Sequence, residues 1–236
     1  MKALAYEKAH VLDAFAIQDM DIAEPQLGDA DLLVDIRAVG VNPGEAYIRS
    51  VRSAAAGGRV VLGWEFAGIV IGVGSAASGF AVGDRVMGTG DVTRDGGWAE
   101  RLAVDHRLVA QIPDQLSFVD AASLPIGGLT AWESVFRDRD TLPTGVERVL
   151  VVGGAGGVGS LATQLLKART GALVIATASR PESREWCEAM GADLVVAGRL
   201  RPIVTTPLDG LTPRNMKTAH ELLESKRTIG KIVIVA

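Results

Sequence analysis

Three glycines at G-x-G-x-x-G spacing, Gly154, Gly156 and Gly159, carry the clearest chemistry in this sequence. They sit in the run R-V-L-V-V-G-G-A-G-G-V-G-S, residues 148–160. The apolar stretch 149–152 predicts a buried parallel strand before them, and the apolar periodicity of 158–168 predicts a helix after them. In such a strand–turn–helix, one glycine makes the tight turn, one lets the backbone approach a pyrophosphate, and one lets helix and strand pack closely. The phosphates then lie on the helix N-terminus, where free N–H groups and the helix dipole favour anions. Gly154, Ala155, Gly156, Gly157, Val158 and Gly159 are therefore candidate cofactor-binding residues. The competing reading is a glycine-rich turn that binds nothing.

The next strand bears on which cofactor. Residues 172–178 are apolar and β-branched, and they end in Thr177-Ala178-Ser179-Arg180. An NAD-binding fold places an acid about 20 residues past the glycines, to hold the ribose 2′-hydroxyl. No carboxylate stands here. The hydroxyl of Ser179 and the planar donor fork of Arg180 suit a 2′-phosphate, which favours NADPH. The same residues have a plainer use: Ser179 and Glu182 are spaced as a capping box for the following helix, and Arg180 would then be only a solvated cation.

The elements that must position this loop can be read more coarsely. The chain has 236 residues, 48% apolar and 22% charged, with a net charge of −4, so a sizeable core is possible. There is no basic block of the kind a nucleic-acid surface needs, and no apolar run of membrane-spanning length. The N-terminus lacks a secretory signal pattern, and the single cysteine, Cys187, cannot form an internal disulfide. A cytoplasmic protein is expected. Residues 1 to about 112 alternate short strand patterns, at 2–6, 32–41, 68–73, 85–87 and 98–104, with glycine turns, which predicts an all-β, barrel-like region. Residues 117–136 read as helical with a loop at 125–129. Beyond the glycine loop come a strand, a helix at 181–190, a short strand at 193–196, a helix at 212–225 with Thr212 as its N-cap and Pro213 first, and a strand at 231–235.

Several blocks together resemble the zinc-independent, quinone oxidoreductase (zeta-crystallin-like) branch of the medium-chain dehydrogenase/reductases. They are V-G-V-N-P-G-E-A-Y-I-R (39–49), V-L-G-W-E-F-A-G-I-V (61–70), V-G-D-R-V (82–86), A-A-S-L-P-I-G-G-L-T-A-W-E (121–133), G-A-G-G-V-G (154–159) and the tail L-T-P-R-N-M-K-T-A-H-E-L-L-E-S-K-R-T-I-G-K-I-V. The resemblance implies an α/β plus β fold: a GroES-like β-barrel domain, residues 1–120 and 198–236, around a Rossmann dinucleotide-binding domain, residues 121–197. It also implies NADPH-dependent hydride reduction of quinones or α,β-unsaturated carbonyl compounds; a homo-oligomer is expected because a short sheet leaves an exposed edge that pairs with another chain. Where zinc-binding relatives carry G-H-E, this chain has Gly63-Trp64-Glu65, and one cysteine with three histidines is a poor ligand supply. No metal is expected.

The matched motifs also suggest catalytic residues. Asn42, on a barrel loop, would orient a substrate carbonyl or the cofactor. Tyr47 would donate a proton or hydrogen bond to a developing oxyanion, and Arg49 would steady a polar substrate. Thr130 resembles the position that contacts the nicotinamide amide. Three of the four have an ordinary alternative: Asn42-Pro43 as a turn signal, Tyr47 as packing, Thr130 as a helix cap. One departure stands against these matches. A doubly wound fold has about six strands, and only three can be read here before A-G-R-L-R-P, which resembles the family's return into the barrel. About 90 residues, the size of three βαβ units, are therefore missing near Val196–Ala197. A catalytically weak nucleotide-binding remnant, or an inactive deletion variant, is the alternative function.

Overall fold

A computed structural model describes residues 1–137, 139–197, 204–209, 212–225 and 231–235. It divides into two units, Met1–Val196 and Ala197–Ala236. The first unit opens with β1 (Lys2–Tyr6), β2 (Gln18–Asp21) and β3 (Asp31–Val39), then helix α1 (Pro43–Val51) and β4 (Val60–Val61). Next come β5 (Glu65–Val73), β6 (Arg85–Thr89), β7 (Arg101–Asp105) and β8 (Val109–Gln111). A five-stranded antiparallel sheet, ordered β7-β3-β5-β6-β8, and a three-stranded sheet, β2-β1-β4, make the β region, and an Ala3–Ala99 bridge joins them. Alternation along β3 and β5 sends Leu32, Val34, Phe66 and Val70 inward with Val86, Leu102 and Val104, all buried. Asp31 opens β3 with both carboxylate oxygens on Arg94, at 2.7 and 3.0 Å, and this pair holds its carboxyl below the usual range.

The chain then turns helical. α2 (Phe118–Ala121) is capped by Ser117, whose hydroxyl accepts the Asp120 N–H. α3 (Pro125–Val135) runs through the segment 125–129 that the sequence reads as a loop. One of its two glycines serves packing: a Cβ at Gly127 would lie 2.9 Å from Leu161, so this glycine lets α3 approach its neighbour, while Gly128 faces open space.

The rest of this unit is β9 (Arg148–Val151), α4 (Gly157–Arg169), β10 (Leu173–Ala178), α5 (Pro181–Ala189) and β11 (Leu194–Ala197). The strands form one sheet in the order β11-β10-β9, with β9 and β10 parallel and in register from Arg148–Leu173 to Val151–Ala176. This is the three-strand half of a doubly wound sheet. Its helices pack on one face. Ala131 of α3 and Ala162 and Leu166 of α4 bury against Val151 and Val174, and Cys187 of α5 buries against Ala176 and Ala178. On the opposite face Leu150 and Val152 are 58% and 64% exposed, and Leu194 and Val196 are exposed on either side of the inward Val195. No helix among the described residues is long and apolar enough to cross a membrane.

The second unit is β12 (Val204–Asp209), α6 (Pro213–Glu224) and β13 (Lys231–Val235), with β12 and β13 parallel. The cap expected at Thr212 is present, its hydroxyl accepting the Asn215 N–H at 3.2 Å. β12 has no counterpart in the sequence reading.

The one-sided sheet makes a direct prediction. Leu166→Ala, in the covered face, should cost about 2–5 kcal/mol. Leu150→Ala, on the bare face, should cost under about 1 kcal/mol. Urea unfolding of the two variants checks this, and equal losses would mean that the second face is covered in solution.

Candidate functional site

Two groups of residues can do chemistry in the first unit, and buried carboxylates connect them. The first group starts at Asn42. It is not on a loop but is the N-cap of α1, with Pro43 in the first turn. Glu45 reaches back so that its Oε2 accepts the Asn42 N–H at 2.5 Å, while its Oε1 accepts the Trp64 N–H at 3.1 Å. Glu45 is 2% exposed, and burial pushes its carboxyl above the ordinary glutamate value, against the two N–H bonds that favour the charge. The nearby Glu65 carboxylate pushes in the same direction.

Glu65, 4% exposed, is the joint. Its Oε2 accepts from Asn42 Nδ2 at 2.8 Å and its Oε1 accepts the Ile126 N–H at 2.7 Å. The carboxylate therefore sits on the first turn of α3, where N–H groups lack helical partners and negative charge is favoured. The chain must pass close to allow this: a Cβ at Gly40 would meet Glu65 Oε2 at 2.2 Å.

α1 separates the other two candidates. Tyr47 is 66% exposed. Arg49, two residues on, points elsewhere, because positions i and i+2 do not share a helix face. Its guanidinium lies over the Phe15 ring at 5.6 Å, and its Nη1 is buried without a partner. Thr130 is exposed in mid-α3 rather than at a cap, and its hydroxyl donates to Ile126 O at 2.7 Å.

The second group is the glycine loop. Gly153, outside the G-x-G-x-x-G triplet, makes the turn, with φ +72, and its N–H bonds the Thr177 hydroxyl at 2.9 Å. Gly154 packs where a Cβ would lie 2.7 Å from Ala176 and 3.0 Å from Cys187 Sγ. Gly159 lets α4 close onto the strand, since a Cβ there would meet Gly153 O at 2.4 Å. Gly156 is the N-cap of α4 and no side chain caps the helix. Its Cβ direction is open, with Gly153 O at 3.4 Å the nearest atom, and Gly157 is open altogether. A groove of about 710 Å³ runs beside the loop, lined by Gly156, Gly157, Val158 and Gly159 together with Ser134 and Val135 of α3. The structure thus brings Ser134 to the loop; Thr130 lies one turn back and receives the Ser134 hydroxyl on its carbonyl.

At the end of β10, Ser179 and Arg180 are both exposed. The capping box expected from Ser179 and Glu182 does not form: the N-cap of α5 is Arg180, because Pro181 fixes the first helical position one residue later than the box requires. Arg180 Nε reaches Ser183 at 3.4 Å. Cys187 is buried, and burial raises its thiol pKa, so it acts as packing. Among the described residues no three His, Cys, Asp or Glu side chains gather as a metal site.

Sequence reasoning did not find Glu45, Glu65, Gly153 or Ser134. A signal existed for Glu45: Asn42-x-x-Glu45 is a capping-box spacing, hidden by reading Asn42-Pro43 as a turn. The geometry around it carries a pH prediction. A carboxyl whose folded pKa is raised gives stability that is present at low pH and lost as pH rises through that value. Wild type should therefore lose stability relative to Glu45→Gln as pH rises from about 4 toward about 8. Thermal melts of both proteins across that range check it, and a constant difference would show that Glu45 is not desolvated.

Residues 28–114 match the family model of the alcohol dehydrogenase GroES-like domain. A zinc-type alcohol dehydrogenase-like protein of Staphylococcus aureus (strain COL) is 37% identical over 203 residues, 83% of this chain and 60% of that protein. The chloroplastic NADPH-dependent alkenal/one oxidoreductase of Arabidopsis thaliana is 32% identical over 204 residues, 83% of this chain and 52% of that protein. The solved quinone oxidoreductase of Pseudomonas syringae pv. Tomato DC3000 aligns with a TM-score of 0.71 at 27% identity, covering 95% of this chain and 62% of that one. The chain spans about 60% of the length of the first of these curated relatives. Its GroES-like β region, its half of a doubly wound sheet and these relatives are consistent with the medium-chain dehydrogenase/reductase superfamily.

Proposed function

We propose that this chain is an NADPH-dependent oxidoreductase that reduces quinones or α,β-unsaturated carbonyl compounds by hydride transfer. The observation that carries the reading is the β9–α4 turn: an uncapped helix N-terminus with open space at Gly156 and Gly157. Free N–H groups of the first α4 turn, at Gly157, Val158 and Gly159, suit a pyrophosphate. Ser179 and Arg180 end the adjacent strand with a hydroxyl and a cation and no acid, which suits a 2′-phosphate. The cofactor, when bound, supplies the hydride, so the protein's own contribution is orientation and charge. The names of the Arabidopsis and Pseudomonas relatives support the acceptor classes.

The side chains divide that work according to what they have free. Asn42 has committed Nδ2 to Glu65, and its Oδ1, the accepting atom of the α1 capping box, keeps a second lone pair for a further hydrogen bond. Thr130 donates within its helix and likewise presents lone pairs, which fit an amide N–H. Arg49 is assigned to a polar substrate through its motif alone, because its unpaired Nη1–H is buried and lies on a different face of α1 from Tyr47. Tyr47, exposed, is the candidate proton donor. The reading gives zinc no role: Trp64, whose side chain is not a zinc ligand, stands between Gly63 and Glu65.

Cofactor titration by fluorescence tests the assignment. Arg180→Ala should weaken NADPH about tenfold or more, by loss of a charge-assisted contact, and leave NADH nearly unchanged. Gly156→Val should abolish binding of both while circular dichroism stays native. Equal loss for the two cofactors in Arg180→Ala would defeat the 2′-phosphate reading, and full affinity in a folded Gly156→Val would reduce the loop to a structural turn.

A second reading, a nucleotide-binding protein with little turnover, is favoured by the uncovered sheet face at Leu150, Val152, Leu194 and Val196. Exposed apolar faces and strand edges are closed by pairing, often with another chain, and we expect a homo-oligomer. Light scattering and a steady-state NADPH oxidation assay with 1,4-benzoquinone give both answers. Self-association with weak turnover supports the second reading, and a stable monomer with vigorous turnover supports the first alone.

A further inference from the structure

α5 reaches the glycine loop through a relay of two hydrogen bonds. Trp186 gives its indole N–H to Ser160 Oγ at 2.8 Å, and the Ser160 hydroxyl gives its hydrogen to the Gly154 carbonyl at 3.3 Å. An indole N–H can only donate, so it occupies a lone pair of the hydroxyl and leaves the hydroxyl hydrogen for Gly154. Ser160 is buried, whereas Trp186 is 50% exposed. With half of the ring in water, burial alone holds it weakly, and the N–H bond fixes its position. The direction of the Gly154 carbonyl decides what the loop shows an anion. In a trans peptide the carbonyl of Gly154 and the N–H of Ala155 point in opposite directions. With the carbonyl turned toward Ser160, the Ala155 N–H is turned away from it, and that N–H has no hydrogen-bond partner among the described residues. The glycines on either side are tied, Gly154 N–H to Thr177 O at 3.1 Å and Gly156 N–H to Gly153 O at 3.0 Å. A flip of this one peptide would replace a free donor by a carbonyl oxygen, which repels phosphate.

We infer that Ser160 and Trp186 are positioning residues for the nucleotide, holding the Gly154–Ala155 peptide so that the loop offers its N–H and not its carbonyl to the phosphates. The inference rests on the proposed binding of a dinucleotide at this loop. Trp186 acts through Ser160, and Ser160 acts through the Gly154 carbonyl. The helix that carries Trp186 has Arg180 as its N-cap, so α5 links the two ends of the proposed site.

Calorimetry on the full chain, with NADPH and with inorganic pyrophosphate, compares wild type, Ser160→Ala, Trp186→Phe and the double variant. Ser160→Ala should weaken both ligands about fivefold, the worth of one hydrogen bond, and Trp186→Phe about threefold with a Tm close to that of wild type. In the Ser160→Ala background Trp186→Phe should add nothing, because its route to the loop is already cut. Hydrogen exchange gives a readout without ligand: the Gly154 and Gly156 amides should exchange faster in both single variants. Wild type that binds neither ligand would defeat the proposed function and this inference with it. Wild-type binding that both single variants retain in full, a Trp186→Phe loss of the same size without Ser160, or unchanged exchange at both glycines would overturn the inference alone.

Discussion

The Glu65 carboxylate is the point on which the geometry of the candidate site depends. It is nearly inaccessible to water, and a buried charge persists only if hydrogen bonds replace its hydration. Its partners are the Asn42 side chain and the Ile126 N–H, so one side chain fixes where α1 begins and where α3 begins. α3 in turn packs on α4, whose N-terminus is the glycine loop. The line from Asn42 to the loop is thus one charge, one helix end and one helix–helix seam. Gly40 is bound to the same constraint, because any side chain there would occupy the place of a carboxylate oxygen. Glu45, beside it, satisfies two backbone N–H groups at the cost of a second buried acid. Burial is the main cause that raises the Glu45 carboxyl, and the Glu65 carboxylate adds to it.

The glycine loop works by division of labour. Turn, packing and open approach belong to different residues, and the structure distributes them as Gly153, then Gly154 and Gly159, then Gly156. A spacing motif cannot express this distribution. The triplet marks three glycines, but the residue with positive φ lies one position before it. The motif is best taken as a statement about where backbone must approach something closely, and only the structure says whether that something is a helix, a strand or open space.

Legibility in the sequence followed the range of the forces involved. α4, α5 and the strands β9 and β10 were readable because apolar periodicity and β-branching act locally. The 125–129 segment was not, because Gly127 answers to Leu161 on another helix. α1 was hidden behind Asn42 and Pro43, which read as a turn, although Pro also belongs in a first helical turn. Arg49 could be proposed from its motif, yet its stacking on Phe15 joins segments 34 residues apart in number and left no local trace. The same holds for Glu65: an acid in a strand-like run looks ordinary until its two distant partners are known.

A parallel sheet is normally covered on both faces, and here helices cover one. Leaving a leucine or valine exposed forgoes about 1.5–3 kcal/mol of burial each, so the bare face of β9 and β11 is a substantial unrealised term. It also divides function. Under the proposed reading, the groups suited to phosphates lie at the carboxyl ends of β9 and β10, inside the half that is present. Whatever frames a reacting ring must come from beyond the β9 edge or from the α1 side, where Arg49 and Asn42 stand. Affinity for the nucleotide therefore depends on strands and a helix end already in place, while turnover depends on geometry that a displacement of about 1 Å can reduce a hundredfold. A half sheet can keep the first property without the second, because binding sums over many contacts and hydride transfer requires one arrangement.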